Sequence, residues 1–129
     1  MSKVKITYLE ALNALAALNR LDGYKDGDQT KPYRFAPQAL ISIAKGIRSL
    51  KGVAEDYETA RVALAKQFNP QPKEGDESYP LFVEAINKLL SEEVEIEVSR
   101  VKLSSLKLDD NPVPPGLLAQ IFPLVEEDQ

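Results

Sequence analysis

Residues 37–68, PQALISIAKGIRSLKGVAEDYETARVALAKQF, decide the fold class. Proline suits the first turn of a helix, where its missing N–H is no loss, and none interrupts the stretch after Pro37. Leu40, Ile43, Ile47, Leu50, Ala54, Tyr57, Leu64 and Phe68 follow steps of three and four, with Arg61 in the one slot that breaks the stripe. That spacing predicts a single long helix whose apolar seam packs against a partner helix. Gly46 and Gly52 lie inside it, where each costs about 1 kcal/mol relative to Ala. A close helix approach or a bend would explain them, and the sequence leaves both open.

Upstream, Val4 and Ile6 alternate with Lys3 and Lys5 as a short strand does. Thr7 and Glu10 stand at capping-box spacing before an Ala/Leu-rich run, which predicts a first helix from about residue 8 to 20. Its apolar face is expected to comprise Leu9, Leu12, Leu15, Ala16 and Leu18. Residues 22–31, DGYKDGDQTK, read as a polar loop. Downstream, Asn69-Pro70-Gln71-Pro72 stops the long helix, and Pro80 opens a third one with Phe82, Ile86, Leu89 and Leu90 as its apolar positions. Val94, Ile96 and Val98 then alternate with Glu93, Glu95 and Glu97, predicting a strand with one acidic, solvated face. The apolar phase shifts at Val101 and Leu103, which suggests a bulge near Ser99-Arg100. Pro114-Pro115 precede a last short helix over 117–124, and the tail EEDQ reads as solvated.

The expected architecture is one domain over residues 1–129, mainly α with a minor β part. A helical hairpin with a long central helix carries a third helix beside it, and the N-terminal strand pairs with residues 94–103 in a small antiparallel ribbon. Two strands alone are marginal in water, so the ribbon should lie on the helices or extend a neighbour's sheet.

Composition bounds the function. A chain of 129 residues with 43% hydrophobic content can bury a core without staples. With 20 acidic and 16 basic side chains the net charge is −4, and the cations are scattered, which argues against a nucleic-acid partner. No run approaches the ~18 apolar residues of a membrane span. MSKVKITYLE also lacks the apolar centre of a signal peptide, so a cytosolic site of synthesis is expected. The chain has no His and no Cys, which removes the commonest general base, the commonest metal ligand and the thiol nucleophile. No cofactor, metal site or enzymatic activity is expected.

Two stretches imitate metal chemistry. Glu92, Glu93, Glu95 and Glu97 could hold a hard cation or form an acid/base pair, but such a pair needs one buried member. The alternation instead places three of them, Glu93, Glu95 and Glu97, on a polar face that discourages wrong edge pairing. Residues 22–28, DGYKDGD, have Asp at the first and fifth and Gly at the sixth position of an EF-hand loop, yet Tyr24 and Tyr33 occupy ligand positions three and twelve. The stronger candidate is Tyr33-Arg34-Phe35, because aromatic residues and Arg concentrate at interface hot spots. A structural use competes: Phe35 packing at the start of the long helix and Tyr33 covering the hairpin. Glu93, Glu95 and Glu97 complete the candidate protein-binding set.

Several segments together resemble small helical proteins encoded by tailed phages and prophages. They are Lys31-Pro32-Tyr33-Arg34-Phe35, the segment from Ala60 to Asn69, the run from Leu89 to Val98 (LLSEEVEIEV), and the closing stretch from Val101 to Val125. The resemblance spans most of the chain and brings no catalytic residues with it. It implies a virion or assembly protein, such as a head–tail, decoration or tail-associated subunit, found in the virion or the host cytoplasm. The expected partners are particle proteins or further copies of the chain. The alternative it leaves is a non-structural chaperone or an inhibitor of a host protein.

Overall fold

The computed structural model describes residues 2–68 and 72–127. Strand β1, Ser2–Thr7, leads directly into helix α1, Tyr8–Asn19. Thr7 ends the one and caps the other: its hydroxyl accepts from the Glu10 amide at 3.1 Å, while Glu10 Oε1 accepts from the Thr7 amide at 3.0 Å. The predicted capping box is therefore formed, and it satisfies two N–H groups that a helix start leaves without partners. A 3₁₀ turn, Arg20–Asp22, closes α1.

Helix α2 runs from Pro37 to Gln67, 31 residues or about 46 Å. Its buried face is Ala39, Ile43, Gly46, Leu50, Val53 and Tyr57. Leu40, expected in the seam, is 53% exposed; the contact line is rotated toward Ala39 and Gly46. The reason lies in α1, which presents small residues: Ala11, Ala14, Ala17 and Leu18 are its buried positions, whereas Leu9 and Ala16 face outward and Leu12 and Leu15 are half-buried. Small faces let two backbones approach closely. A methyl group added at Gly46 would lie 3.2 Å from Leu18 Cδ1, so Gly46 marks close helix approach. Gly52 faces open space and bears on no contact.

Beyond Tyr57, α2 carries no fully buried residue. Helix α3, Tyr79–Leu90, covers this end, with Phe82 against Phe68 edge to face at 5.4 Å between ring centres. Arg61, the break in the stripe, hydrogen-bonds Glu58 on the surface and holds that carboxyl below its usual pKa range. The Asn69-Pro70-Gln71 part of the expected helix stop lies outside the described residues.

Strand β4, Glu93–Val98, pairs antiparallel with β1 in the register Lys3↔Glu97, Val4↔Ile96, Lys5↔Glu95. Val4, Ile6, Ile96 and Val98 enter the core, and the ribbon lies on the helices as expected. The bulge expected at Ser99-Arg100 is instead a break. The chain leaves the ribbon there and resumes as β5, Val101–Lys102, which pairs in parallel with β6, Val125–Glu126. The change of apolar phase thus marks a change of sheet. Between them lie a 3₁₀ turn, Leu103–Leu106, and helix α4, Pro115–Ile121, which packs on α1 and continues as a 3₁₀ turn, Phe122–Leu124. The first residue of the supposed tail, Glu126, is a strand residue with an exposed side chain; Asp128 and Gln129 lie outside the described residues.

Residues 22–31 are the other departure. They form a β-hairpin, β2 (Tyr24–Asp26) with β3 (Gln29–Lys31), closed by Gly27-Asp28. Gly27 has φ 67°, the positive value a tight hairpin turn requires at its first central residue. Lys31 pairs with Asp26 across the hairpin, so the residues that imitate an EF-hand are engaged in strand pairing.

Candidate functional site

The hairpin and the segment leading into α2 bring aromatic rings together. Tyr24, projecting from β2, meets Tyr33 at 5.0 Å between ring centres, and Tyr33 stacks on Phe35 at 5.0 Å with ring planes 9° apart. Offset stacking of this kind adds about 1 kcal/mol to the area buried. Phe35 is buried in the core, Tyr33 and Tyr24 are half-buried, and the Arg34 side chain is exposed. Burial pushes the Tyr33 phenol above its ordinary range, and neighbouring Tyr24 adds to the rise.

Asn111 holds this segment in place. Its buried side chain accepts from the Arg34 amide at 2.7 Å and donates to the Leu106 and Lys107 carbonyls at 2.8 and 3.1 Å. One amide side chain thereby ties the approach to α2 to the turn after the Leu103–Leu106 3₁₀ segment. The Ala36 amide adds a bond to the Ser105 carbonyl at 2.9 Å.

The rings form one wall of an open cleft of about 770 Å³. Leu117, Pro114 and Gln120 from the α4 segment line it together with Tyr24 and Tyr33, and Asn19, Arg20 and Lys25 supply polar groups. Asp22 is the one carboxylate among the lining residues. An aromatic wall with amide and guanidinium groups at its rim can accept an apolar side chain and hydrogen-bond the backbone that carries it.

Of the three aromatic-cluster candidates, only Tyr33 lines the cleft; Phe35 anchors the stack from below, and Arg34 contributes its backbone. Glu93, Glu95 and Glu97 lie on a different sheet and do not line the cleft. They share the exposed face of the β1–β4 ribbon with Lys3 and Lys5, and Lys3 Nζ approaches Glu95 Oε1 at 3.7 Å. The acidic face is therefore partly neutralised by its partner strand. Sequence reasoning missed Tyr24, Arg20 and Lys25, although the alternation Y-K-D on one side of an Asp-Gly turn signals the hairpin that places Tyr24. Among the described residues no cluster of carboxylates is arranged to hold a metal ion, and no helix is long and apolar enough to cross a membrane.

Comparison with protein-family models, with curated proteins and with solved structures finds no match to this chain.

Proposed function

We propose that the chain is a non-catalytic protein-binding component, and that the tyrosine-walled cleft is where it holds its partner. The observation that carries this reading is the pair Tyr24 and Tyr33, half-buried and in ring contact, with Tyr33 stacked on the core Phe35, opening onto about 770 Å³ that Arg20 and Lys25 also line. Rings fixed by packing lose little entropy when a partner covers them, which is why Tyr and Arg dominate binding hot spots. The polar groups around them are mostly amides, a guanidinium and an ammonium, with Asp22 the single carboxylate and Thr30 a hydroxyl. They suit recognition of a peptide backbone better than proton transfer.

The resemblance to tailed-phage proteins supports a more specific reading, a virion or assembly subunit at a head–tail junction, on the capsid or on the tail. The test is mass spectrometry of particles purified from phage-producing cells, together with capture of the tagged chain from their lysate. The expected result is the chain within the particle, or co-purification with portal, capsid or tail proteins. A strictly monomeric protein, absent from particles and capturing none of these, contradicts the particle role. Capture of a single non-virion protein would replace it with a chaperone or an inhibitor.

A further inference from the structure

A second groove, of about 230 Å³, lies where the start of α2 meets the break between β4 and β5. Its polar lining consists of Gln38, Ser42, Ser99, Arg100, Lys102 and Ser105, with Ile41 as the apolar wall; no carboxylate is among them. Arg100 Nε is buried and has no hydrogen-bond partner among the described residues. Neither Arg100 nor Lys102 is in an ion pair there. The Ser42 and Ser99 hydroxyls lie 3.3 Å apart, so one donates to the other and the second keeps a free proton. Ser105 is engaged with the Lys102 carbonyl. The first turn of α2 has neither a side-chain cap nor an acidic residue, leaving the positive end of a long helix uncompensated.

A buried guanidinium N–H without an acceptor is costly, and natural structures rarely leave one. In this groove every unengaged charged group is a cation, and a hydroxyl proton is available beside them. The wall is Ile41, 57% exposed, and the adjacent Leu40 is 53% exposed. The whole chain is net negative at −4, which penalises a dianion more than a monoanion. We propose that this groove binds one carboxylate carried beside an apolar side chain, as an acidic segment of a protein partner presents it. The inference rests on the protein-binding reading above and adds a second contact to it. Arg100 would offer Nε–H and one Nη–H side-on to the two carboxylate oxygens, the fork geometry that distinguishes Arg from Lys. Lys102 adds a point charge, and Ile41 covers the apolar neighbour.

The test is nitrogen-15 NMR of the full chain, following the Arg100 Nε–H signal during separate titrations with acetate, isovalerate and inorganic phosphate. A saturable shift is expected with isovalerate, about threefold tighter or more than with acetate because of its extra apolar carbons. Phosphate should bind more weakly than isovalerate. Arg100→Lys, which keeps the charge and loses the fork, should weaken isovalerate about tenfold; Lys102→Gln should weaken it less. No saturable shift with any of the anions, or phosphate tighter than isovalerate, overturns the proposal. Should Arg100→Lys fail to fold, Lys102→Gln decides alone: an unchanged isovalerate affinity counts against the site. Partner capture separates this inference from the reading beneath it. A chain that binds isovalerate here yet captures no protein leaves the groove and removes the protein-binding role. A chain that captures its partner but shows no anion binding removes the groove alone.

Discussion

Asn111 shows how much one buried amide can organise. Its three hydrogen bonds join the Arg34 amide to two carbonyls of the 106–107 turn, at a residue only 6% exposed. Asn111→Ala leaves the Arg34 amide and the Leu106 carbonyl without that partner, while the Lys107 carbonyl keeps the Asp110 and Asn111 amides, and should cost about 2–3 kcal/mol in urea unfolding. Asn111→Asp keeps the acceptor for Arg34 but sets a buried carboxylate against two carbonyl oxygens, and should cost at least as much at neutral pH. Tyr33 gives a pH signature. Its phenol is raised in the folded state by burial and then by Tyr24, so the fold favours the protonated form. Stability is then unaffected near neutrality and declines as pH rises past the ordinary tyrosine value of about 10. In an absorbance titration of the phenolates, wild type should show a late-titrating group that Tyr33→Phe lacks. Tyr33→Phe should also lose less stability at alkaline pH. The sequence singled out Tyr33 but not Asn111. An Asn-Pro step reads as a turn, and only the fold brings its side chain to a segment 77 residues away.

At the scale of elements, the helices were legible because each has strong local signals: the Thr7–Glu10 box, Pro37 and Pro80 at helix starts, and apolar periodicity. The phase of the α1–α2 contact was not legible. Hydrophobicity ranks Leu above Ala, so the Leu-rich stripe drew the seam toward Leu9 and Leu40. Close approach instead selected the Ala and Gly faces around Gly46. Two comparisons test this. Leu50→Ala, at a side chain 1% exposed, should cost about 2–5 kcal/mol, while Leu40→Ala should stay within about 0.5 kcal/mol. Gly52→Ala, facing open space, should stabilise by up to about 1 kcal/mol from helix propensity. Gly46→Ala should fall well short of that gain, because the buried Leu18 tip has little room to yield. Equal effects at the two glycines in thermal unfolding would contradict the close approach. The β1–β4 ribbon was legible as strands, but not the short hairpin of residues 24–31, nor the exchange of sheets at Ser99-Arg100, since parallel pairing of two-residue segments leaves no periodic trace.

For the whole molecule, the hairpin of residues 24–31 matters most, because it turns what reads as a polar loop into one wall of the cleft. Tyr33 was visible beforehand as an aromatic next to Arg34. Its partner Tyr24 was hidden because the Asp-Gly turn beside it read as a loop and not a hairpin, and the α4 side of the cleft because it comes from a segment distant in the chain. Glu93, Glu95 and Glu97 kept their predicted exposure, and their pairing with Lys3 and Lys5 makes that ribbon face less acidic than its own strand suggests. The central claim is that the tyrosine-walled cleft holds a protein partner. Side-by-side capture from producing cells, using the tagged wild type and a Tyr24→Ser/Tyr33→Ser variant shown by circular dichroism to be folded, tests it most directly. Particle proteins should be enriched by the wild type and reduced about tenfold or more by the variant, as loss of two hot-spot rings implies. Equal enrichment by both proteins, or no enrichment over the tag alone, would contradict it.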